Sequence, residues 1–273
     1  MSSAVARLTR HVIISRQRTR LRPYVERERR KQQADPLDLR NFEFQEYSQQ
    51  GEDGIVREIF RRIGAHDRHF LEFGVEDGIE CNTRRLVEEE GWRGTWIDGN
   101  PEQCARAAHA FPGVNVINAF LRLDNITEVV QSAGVPVGLD LLVIDVDGND
   151  FWFALALRFL HPRVLIVEYN AAFPPPSRWV MPYDARKTFD FSNQYGASLG
   201  ALDLLTRDMG YTLVGCDSRG VNAFFVRNDE LQGRFSHAGE GAAYHYVAPK
   251  YNPLAFGWWS TRMLKISRLK YFQ

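Results

Sequence analysis

The 273-residue sequence predicts an α/β fold built on a doubly wound, mostly parallel sheet. Three observations predict it. Short apolar runs alternate with stretches of helical periodicity through the middle of the chain. Two of the runs, Leu141–Asp145 and Val164–Val167, show no polar alternation, as expected of strands covered on both faces. Five strand-like runs all end in polar and mostly acidic residues, at the end where such sheets bind ligands.

The elements follow in order. The first 40 residues read as a basic helical extension, with Arg16, Arg18, Arg20 and the run Glu26–Lys31 closed by Asp35 and Pro36. Residues 41–232 carry the α/β pattern. Ile55, Val56, Ile59, Phe60 and Ile63 recur at helical spacing within Gly54–Ile63. Phe70–Phe73 is the first strand, and Asn82–Glu90 a helix capped by Asn82 or Thr83. Gly94–Asp98 is the second strand. Pro101 opens a helix to Ala110, its fixed φ suiting the first turn. Val114–Asn118, Leu141–Asp145 and Val164–Val167 complete five strands, separated by helices over Ile126–Ser132 and Phe151–Leu160. A later helix spans Leu199–Met209. Tyr211–Gly215 and Asn222–Arg227 lie close enough in sequence to form a terminal antiparallel pair. Residues 233–273 form an aromatic-rich tail, basic at its end.

Composition narrows the class. With 44% hydrophobic and 25% charged residues, the chain can bury a large core. Three scattered cysteines (Cys81, Cys104 and Cys216) make neither a disulfide framework nor a CxxC metal site. No apolar run is long enough to span a membrane, and no apolar stretch follows the basic start as in a secretory signal. A cytoplasmic protein is expected. The basic stretch Arg7–Lys31 suits peripheral contact with an anionic membrane surface at its inner face. A formal net charge of zero argues against a nucleic-acid partner.

The strand ends hold the candidate chemistry. The stretch FLEFGVEDGIECNT puts Glu72, Gly74, Asp77 and Gly78 beyond the first strand. It is not GxGxxG, and its acids would repel a pyrophosphate. It suits a nucleoside cofactor with a positive centre and an amino group, and the glycines let a ligand approach the backbone. Asp98 ends the second strand, placed for a bidentate hydrogen bond to ribose hydroxyls or, alternatively, to cap the turn before Pro101. Asn118 ends the third. Asp145, Asp147, Asn149 and Asp150 follow the fourth, and Glu168, Tyr169 and Asn170 the fifth.

The blocks YSQQGEDGIVREIF, FLEFGVEDGIECNTRRLVEEEGWRGTWIDGNP and LLVIDVDGNDFW, within residues 47–170, resemble the FkbM-type S-adenosylmethionine-dependent methyltransferases. The resemblance implies a Rossmann-like, class I methyltransferase fold with a seventh, antiparallel strand. It implies that Glu72 and Gly74 belong to the cofactor loop, that Asp98 binds ribose, and that Ser48, Gln49 and Gln50 approach the cofactor; the strand ends add Asp77, Asn118 and Asp145 as candidate cofactor-binding residues. IDVDGND resembles the acid pair of macrocin-type sugar O-methyltransferases, which use magnesium. By that likeness Asp145, Glu168 and Asn170 would hold Mg2+ and Asp147 would be the base. The fifth strand departs from those relatives, reading Glu168-Tyr169-Asn170 where they have two adjacent acids.

The expected reaction is methyl transfer to a hydroxyl of a sugar or polysaccharide, a cell-surface glycan in the first reading. A second reading has a small secondary metabolite as acceptor and the arm serving homo-oligomerisation. A third is a catalytically silent cofactor-binding scaffold. His245, in AAYHYVAPKYNP, joins Asp147 as a candidate catalytic residue, with His161, His237 and Tyr244 considered beside it. The tail is expected on or near the acceptor site, where Arg234 or Lys250 could meet an anionic acceptor. The loop AAFPPPSRW, Ala171–Trp179, is expected to gate that site.

Overall fold

The computed structural model describes residues 26–27, 30–188, 192–250 and 264–265. The basic segment before residue 26 and most of the tail beyond residue 250 lie outside the described residues, and with them the expected membrane-surface contact.

After helical residues at 26–27 and 30–34 and a short 3-10 helix at Leu39–Phe42, the helix labelled α1 spans Glu52–Ile63. Its two first-turn acids organise the chain entering it. Asp53 Oδ2 accepts the backbone N–H groups of Glu46, Tyr47 and Ser48 and the Ser48 hydroxyl. Glu52 Oε2 accepts the Gln50 N–H. Acids suit this helix end because the exposed N–H groups there leave a partial positive charge. β1 (His69–Phe73), α2 (Arg84–Glu90), β2 (Arg93–Asp98), α3 (Pro101–Ala110) and β3 (Asn115–Asn118) follow. Then come α4 (Ile126–Ser132), β4 (Leu141–Ile144), α5 (Asp150–Ala156) and β5 (Val164–Glu168). The predicted helix over Phe151–Leu160 therefore stops early. Buried Leu157 and Leu160 are joined by a tight turn, Leu160 N–H to the Leu157 carbonyl, which redirects the chain into β5.

β6 (Trp179–Val180), α6 (Leu199–Asp208), β7 (Tyr211–Cys216) and β8 (Asn222–Arg227) complete the main body, with short helices α7 (Asn228–Leu231) and α8 (Ala242–His245) after it. The seven-stranded sheet has the order β3-β2-β1-β4-β5-β8-β7. β1 to β5 are mutually parallel, and β8 runs antiparallel to both β5 and β7. The last strand of this sheet in chain order is thus inserted inside it, and β7 forms the edge.

Both faces are covered, which explains the unbroken apolar runs. Phe70, Trp96, Leu141, Val143, Val164 and Ile166 face α1, α2 and α3. Leu71, Phe73, Leu142, Ile144, Leu165 and Val167 face α4, α5 and α6. Each such buried apolar side chain contributes about 1.5–3 kcal/mol. At the amino ends of the strands, Arg163 is 1% exposed. It bonds both Glu230 oxygens, Asp140 Oδ1 and the carbonyls of Ile63 and Gly64. A buried guanidinium needs this full set of acceptors to offset its lost hydration. This end is structural, and the opposite end is open. No helix among the described residues is long and apolar enough to cross a membrane.

Candidate active site

A cleft of about 810 Å3 opens beyond the carboxyl ends of β1, β2, β4 and β5. Its walls include Gln49, Gly74, Asp98, Phe120, Asp145, Asp147, Glu168 and Lys187.

Gly74 follows β1 with φ +74°, and a Cβ there would sit 1.8 Å from the Asp145 carbonyl oxygen. The close approach is between two strand ends of the chain itself, and Gly74 also lines the cleft. It brings the β1 loop and Asp145 together in one wall. Asp98 ties the next strand end to this loop, accepting the Glu76 N–H at 3.0 Å and the Asn100 N–H at 2.7 Å. Asn100 in turn caps α3 by accepting from the N–H groups of Glu102 and Gln103. The capping role anticipated for Asp98 thus falls to Asn100, and Asp98 remains on the cleft wall.

The IDVDGND turn is organised by its last acid. Asp150 is fully buried and accepts the Val146 and Gly148 N–H groups, each at 2.9 Å. Wrapping the turn around Asp150 leaves Asp147 in the left-handed region at φ +55° and exposed on the cleft. An aspartate tolerates that backbone better than most residues. Asp145, Asp150 and Glu168 each place a carboxylate oxygen within 4.8 Å of the others. Glu168 is 9% exposed, and its Oε2 is buried without a hydrogen-bond donor. Burial, then mutual repulsion, pushes the Asp145 and Glu168 carboxyls well above the usual range. Burial raises Asp150 to about 7, against the pull of its amide donors. Desolvation and Glu76 raise Asp147, with the Lys187 ammonium opposing.

Several expected site residues sit elsewhere. Ser48 is 2% exposed and exchanges hydrogen bonds with Asp53, so it braces the loop that enters α1 and does not line the cleft. Glu72 accepts the Asn82 and Thr83 N–H groups at 2.8 and 3.0 Å and the Thr83 hydroxyl at 2.5 Å, which secures the start of α2. It borders a small side cavity, as does Gln50. Asp77 pairs with Arg106 at 3.5 Å and is not a wall of the cleft. Asn118 donates to the Asp98 carbonyl at 3.1 Å, and the residues after it, Ala119, Phe120 and Leu121, form the wall.

Asn170, expected as a metal ligand, spends its side chain on the backbone. Its amide is buried, donates to the carbonyls of Asn193 and Tyr195, and accepts the Ala172 N–H. Asp150 takes the third place in the acid trio. His245 is not in the cleft either. It lines a separate cavity with Asp35, Arg62 and His237, and its Nε2 bonds the His237 carbonyl at 3.0 Å. Burial holds the imidazole down to about 4. His161 precedes β5, at the far end of the sheet, where its carbonyl accepts from Arg227. Ala171–Trp179 packs on itself, with Phe173 stacked on Trp179 at 4.2 Å between centroids. The segment after β5 reaches the cleft further on, at Lys187 and Thr188.

The sequence reading missed Asp150 as a member of the trio, and it missed Phe120 and Lys187. Phe120 is 43% exposed beside Asp98 and Gly99, a large aromatic left open on a cleft wall. Its position just past a strand end was the available signal.

The sheet order, with its single inserted antiparallel strand, defines the class I fold of S-adenosylmethionine-dependent methyltransferases. Solved structures similar to the chain include methyltransferases. One is an O-methyltransferase from Bacillus cereus in complex with S-adenosylhomocysteine: 19% identity, TM-score 0.41, covering 68% of this chain and 83% of that one. Another is the methyltransferase domain of bacterial CtHen1-C: 12% identity, TM-score 0.40, covering 64% and 96%. A third is the CurJ carbon methyltransferase: 11% identity, TM-score 0.40, covering 64% of this chain and only 52% of that one. It is the sheet order, not these distant likenesses, that identifies the fold. No protein-family model and no curated protein matches the chain.

Proposed function

We propose that this protein is an S-adenosylmethionine-dependent O-methyltransferase acting on a hydroxyl of a sugar or glycan. The observation that carries the reading is the convergence of Asp98, Asp147 and the trio Asp145, Asp150 and Glu168 on one cleft at the carboxyl ends of the strands. The resemblance to FkbM-type and macrocin-type enzymes supports it, and so does the polar, acid-rich wall, which suits a polyhydroxylated acceptor.

The residues divide the work by position. Asp98 accepts the ribose hydroxyls, and Phe120 offers a face for the adenine ring. Asp147 is exposed to the cleft, and its raised proton affinity suits a base. When bound, the cofactor would supply a sulfonium methyl group for displacement by the acceptor oxygen, leaving the bond's electron pair on sulfur, and Asp147 would take the hydroxyl proton. Holding the two reactants in line, away from water, supplies most of the acceleration.

The trio fits a divalent cation of the magnesium class. All its donors are carboxylate oxygens, and the buried Glu168 Oε2 lacks a hydrogen-bond partner. Such an ion would lower the pKa of the acceptor hydroxyl. Asp145, Asp150 and Glu168 would hold it.

Calorimetric titration with S-adenosylhomocysteine, with and without Mg2+, tests the cofactor part. Binding that Asp98→Ala weakens by roughly tenfold supports it, a loss typical of a charge-assisted hydrogen bond. Absence of binding sinks it. The acceptor part is tested by following S-adenosylhomocysteine release over a panel of glycosides and phenolic metabolites. Turnover confined to the phenolics would replace the sugar assignment.

A further inference from the structure

Among the described residues that wall the cleft, Lys187 is the only lysine, arginine or histidine. It belongs to a segment that crosses the carboxyl edge of the sheet after β6 and is pinned along its length. The Met181 carbonyl accepts the Trp152 indole N–H at 2.8 Å. The Tyr183 hydroxyl accepts the Leu123 N–H at 3.0 Å, which ties the segment to the chain beyond β3. Asn149, 5% exposed, clamps the Asp184 backbone: its Nδ2 donates to the carbonyl at 2.8 Å, and its Oδ1 accepts the N–H at 3.3 Å. The same carbonyl accepts the Lys187 N–H at 3.1 Å, closing a tight turn over residues 184–187.

The Lys187 stem is pinned as well. A Cβ added to Gly148 would sit 2.5 Å from Lys187 Cγ and 3.5 Å from its Cε. Gly148 is outside the left-handed region, so here the missing side chain makes space and does not relieve the backbone. Gly148 directly follows Asp147, so the stem lies against the turn that carries the candidate base. A lysine that only solvates a surface needs neither a clamped turn nor a bed for its stem. Fixing both before the acceptor arrives lowers the ordering cost of binding. The ammonium also brings hydrogen-bond donors to a wall whose other charged residues are all carboxylates.

We propose that Lys187 is an acceptor-binding residue, donating an N–H to an oxygen of the acceptor beside Asp147, and that Gly148 and Asn149 are positioning residues that act through it. The proposal rests on the methyl-transfer reading above, and it assigns roles to three residues that the acidic strand ends do not mark.

The test follows S-adenosylhomocysteine release by the full chain with the acceptor turned over best in the panel above, and S-adenosylhomocysteine affinity by calorimetry. Lys187→Met keeps the stem and removes the ammonium. It is expected to raise the acceptor KM by roughly tenfold, the worth of a charge-assisted hydrogen bond. Both kcat and S-adenosylhomocysteine affinity should stay within about twofold, the signature of lost ground-state binding. Gly148→Ala displaces the stem and is expected to raise KM similarly. Added to Lys187→Ala, which removes the Cγ and Cε it would meet, it should cost nothing further. Asn149→Ala is expected to follow the same pattern. An unchanged acceptor KM in Lys187→Met would overturn the proposal. So would additive losses from Gly148→Ala and Lys187→Ala, since the glycine would then act on the Asp147 turn itself. A parallel loss of S-adenosylhomocysteine affinity would make these residues structural and also overturn it. If wild type binds S-adenosylhomocysteine but turns over no acceptor, the methyl-transfer reading fails and this proposal with it. If it does not bind S-adenosylhomocysteine, the cofactor reading fails first.

Discussion

Replacing Gly74 by alanine should damage both stability and the site, and the structure separates the two physical terms. Gly74 has φ +74°, so any L side chain there strains the backbone by about 1 kcal/mol. In addition, the new Cβ would sit 1.8 Å from the Asp145 carbonyl oxygen. That atom is backbone at the end of a buried strand, so it can yield only by moving β4. Overpacking of this kind costs about 1–3 kcal/mol, for a total of roughly 2–4 kcal/mol. Gly91 supplies the control. It is left-handed at φ +67°, ψ 30°, and a Cβ added there would meet nothing within 4 Å, so Gly91→Ala should show the strain term alone, about 1 kcal/mol. Urea unfolding followed by circular dichroism measures both variants. Gly74→Ala should lose clearly more stability than Gly91→Ala and should also lose S-adenosylhomocysteine binding, because Asp145 is displaced. Equal losses at the two positions would refute the close-approach argument.

Three further outcomes are expected. Asp147→Asn should leave S-adenosylhomocysteine affinity within about twofold and lower turnover by roughly a hundredfold or more, as for loss of a general base; a parallel loss of binding would make Asp147 structural. Glu168→Gln should abolish Mg2+ binding seen by calorimetry, and because it neutralises a buried carboxylate it should not lower the melting temperature in EDTA. His245→Gln should leave turnover at pH 8 unchanged, since His245 lies outside the cleft, but it should alter the acid limb of stability. The folded imidazole is held down to about 4 while the unfolded one titrates near its ordinary value of 6.5, so the unfolded state binds more protons between these values. Wild-type stability supported by neutral His245 is then complete above about pH 6.5 and falls, by roughly 1–3 kcal/mol, as pH drops towards 4. The glutamine variant should lack that component in urea unfolding series across the same range.

Much of the architecture could be read from residue pattern because periodicity is a local property. Leu141–Ile144 and Val164–Val167 advertise two-sided burial in their own composition. The start of α1 was harder to read. The helix begins two residues before the Gly54 expected, because the buried Asp53 and Glu52 carboxylates collect the N–H groups of the incoming loop. The end of α5 was missed for a related reason: its sequence stays apolar past Ala156, and only packing of Leu157 and Leu160 reveals the turn.

At the candidate site, the residue pattern pointed to the carboxyl ends of the strands, and Asp98, Asp145, Asp147 and Glu168 share a cleft there. The direction of each side chain could not be read in the same way. Glu168 and Asn170 are two apart and would share a face if β5 continued, but the strand stops at Glu168 and the chain turns away. Asn170 N–H bonds the Ala197 carbonyl, and the side chain is absorbed by the 193–195 segment. Asp150 enters the trio instead because it is the first residue of a helix that begins directly beneath the turn it braces.

The sequence by itself therefore determined the doubly wound sheet and the acidic character of its carboxyl edge, since both follow from short-range periodicity and from which residues terminate strands. Tertiary structure decided which acids converge, which are spent on backbone amides, and that His245 belongs to a different cavity. Those outcomes depend on contacts between segments far apart in the chain, such as Gly74 against Asp145 and Asn222 against Glu52, and on the few ångströms that separate a carboxylate facing a cleft from one anchoring a loop.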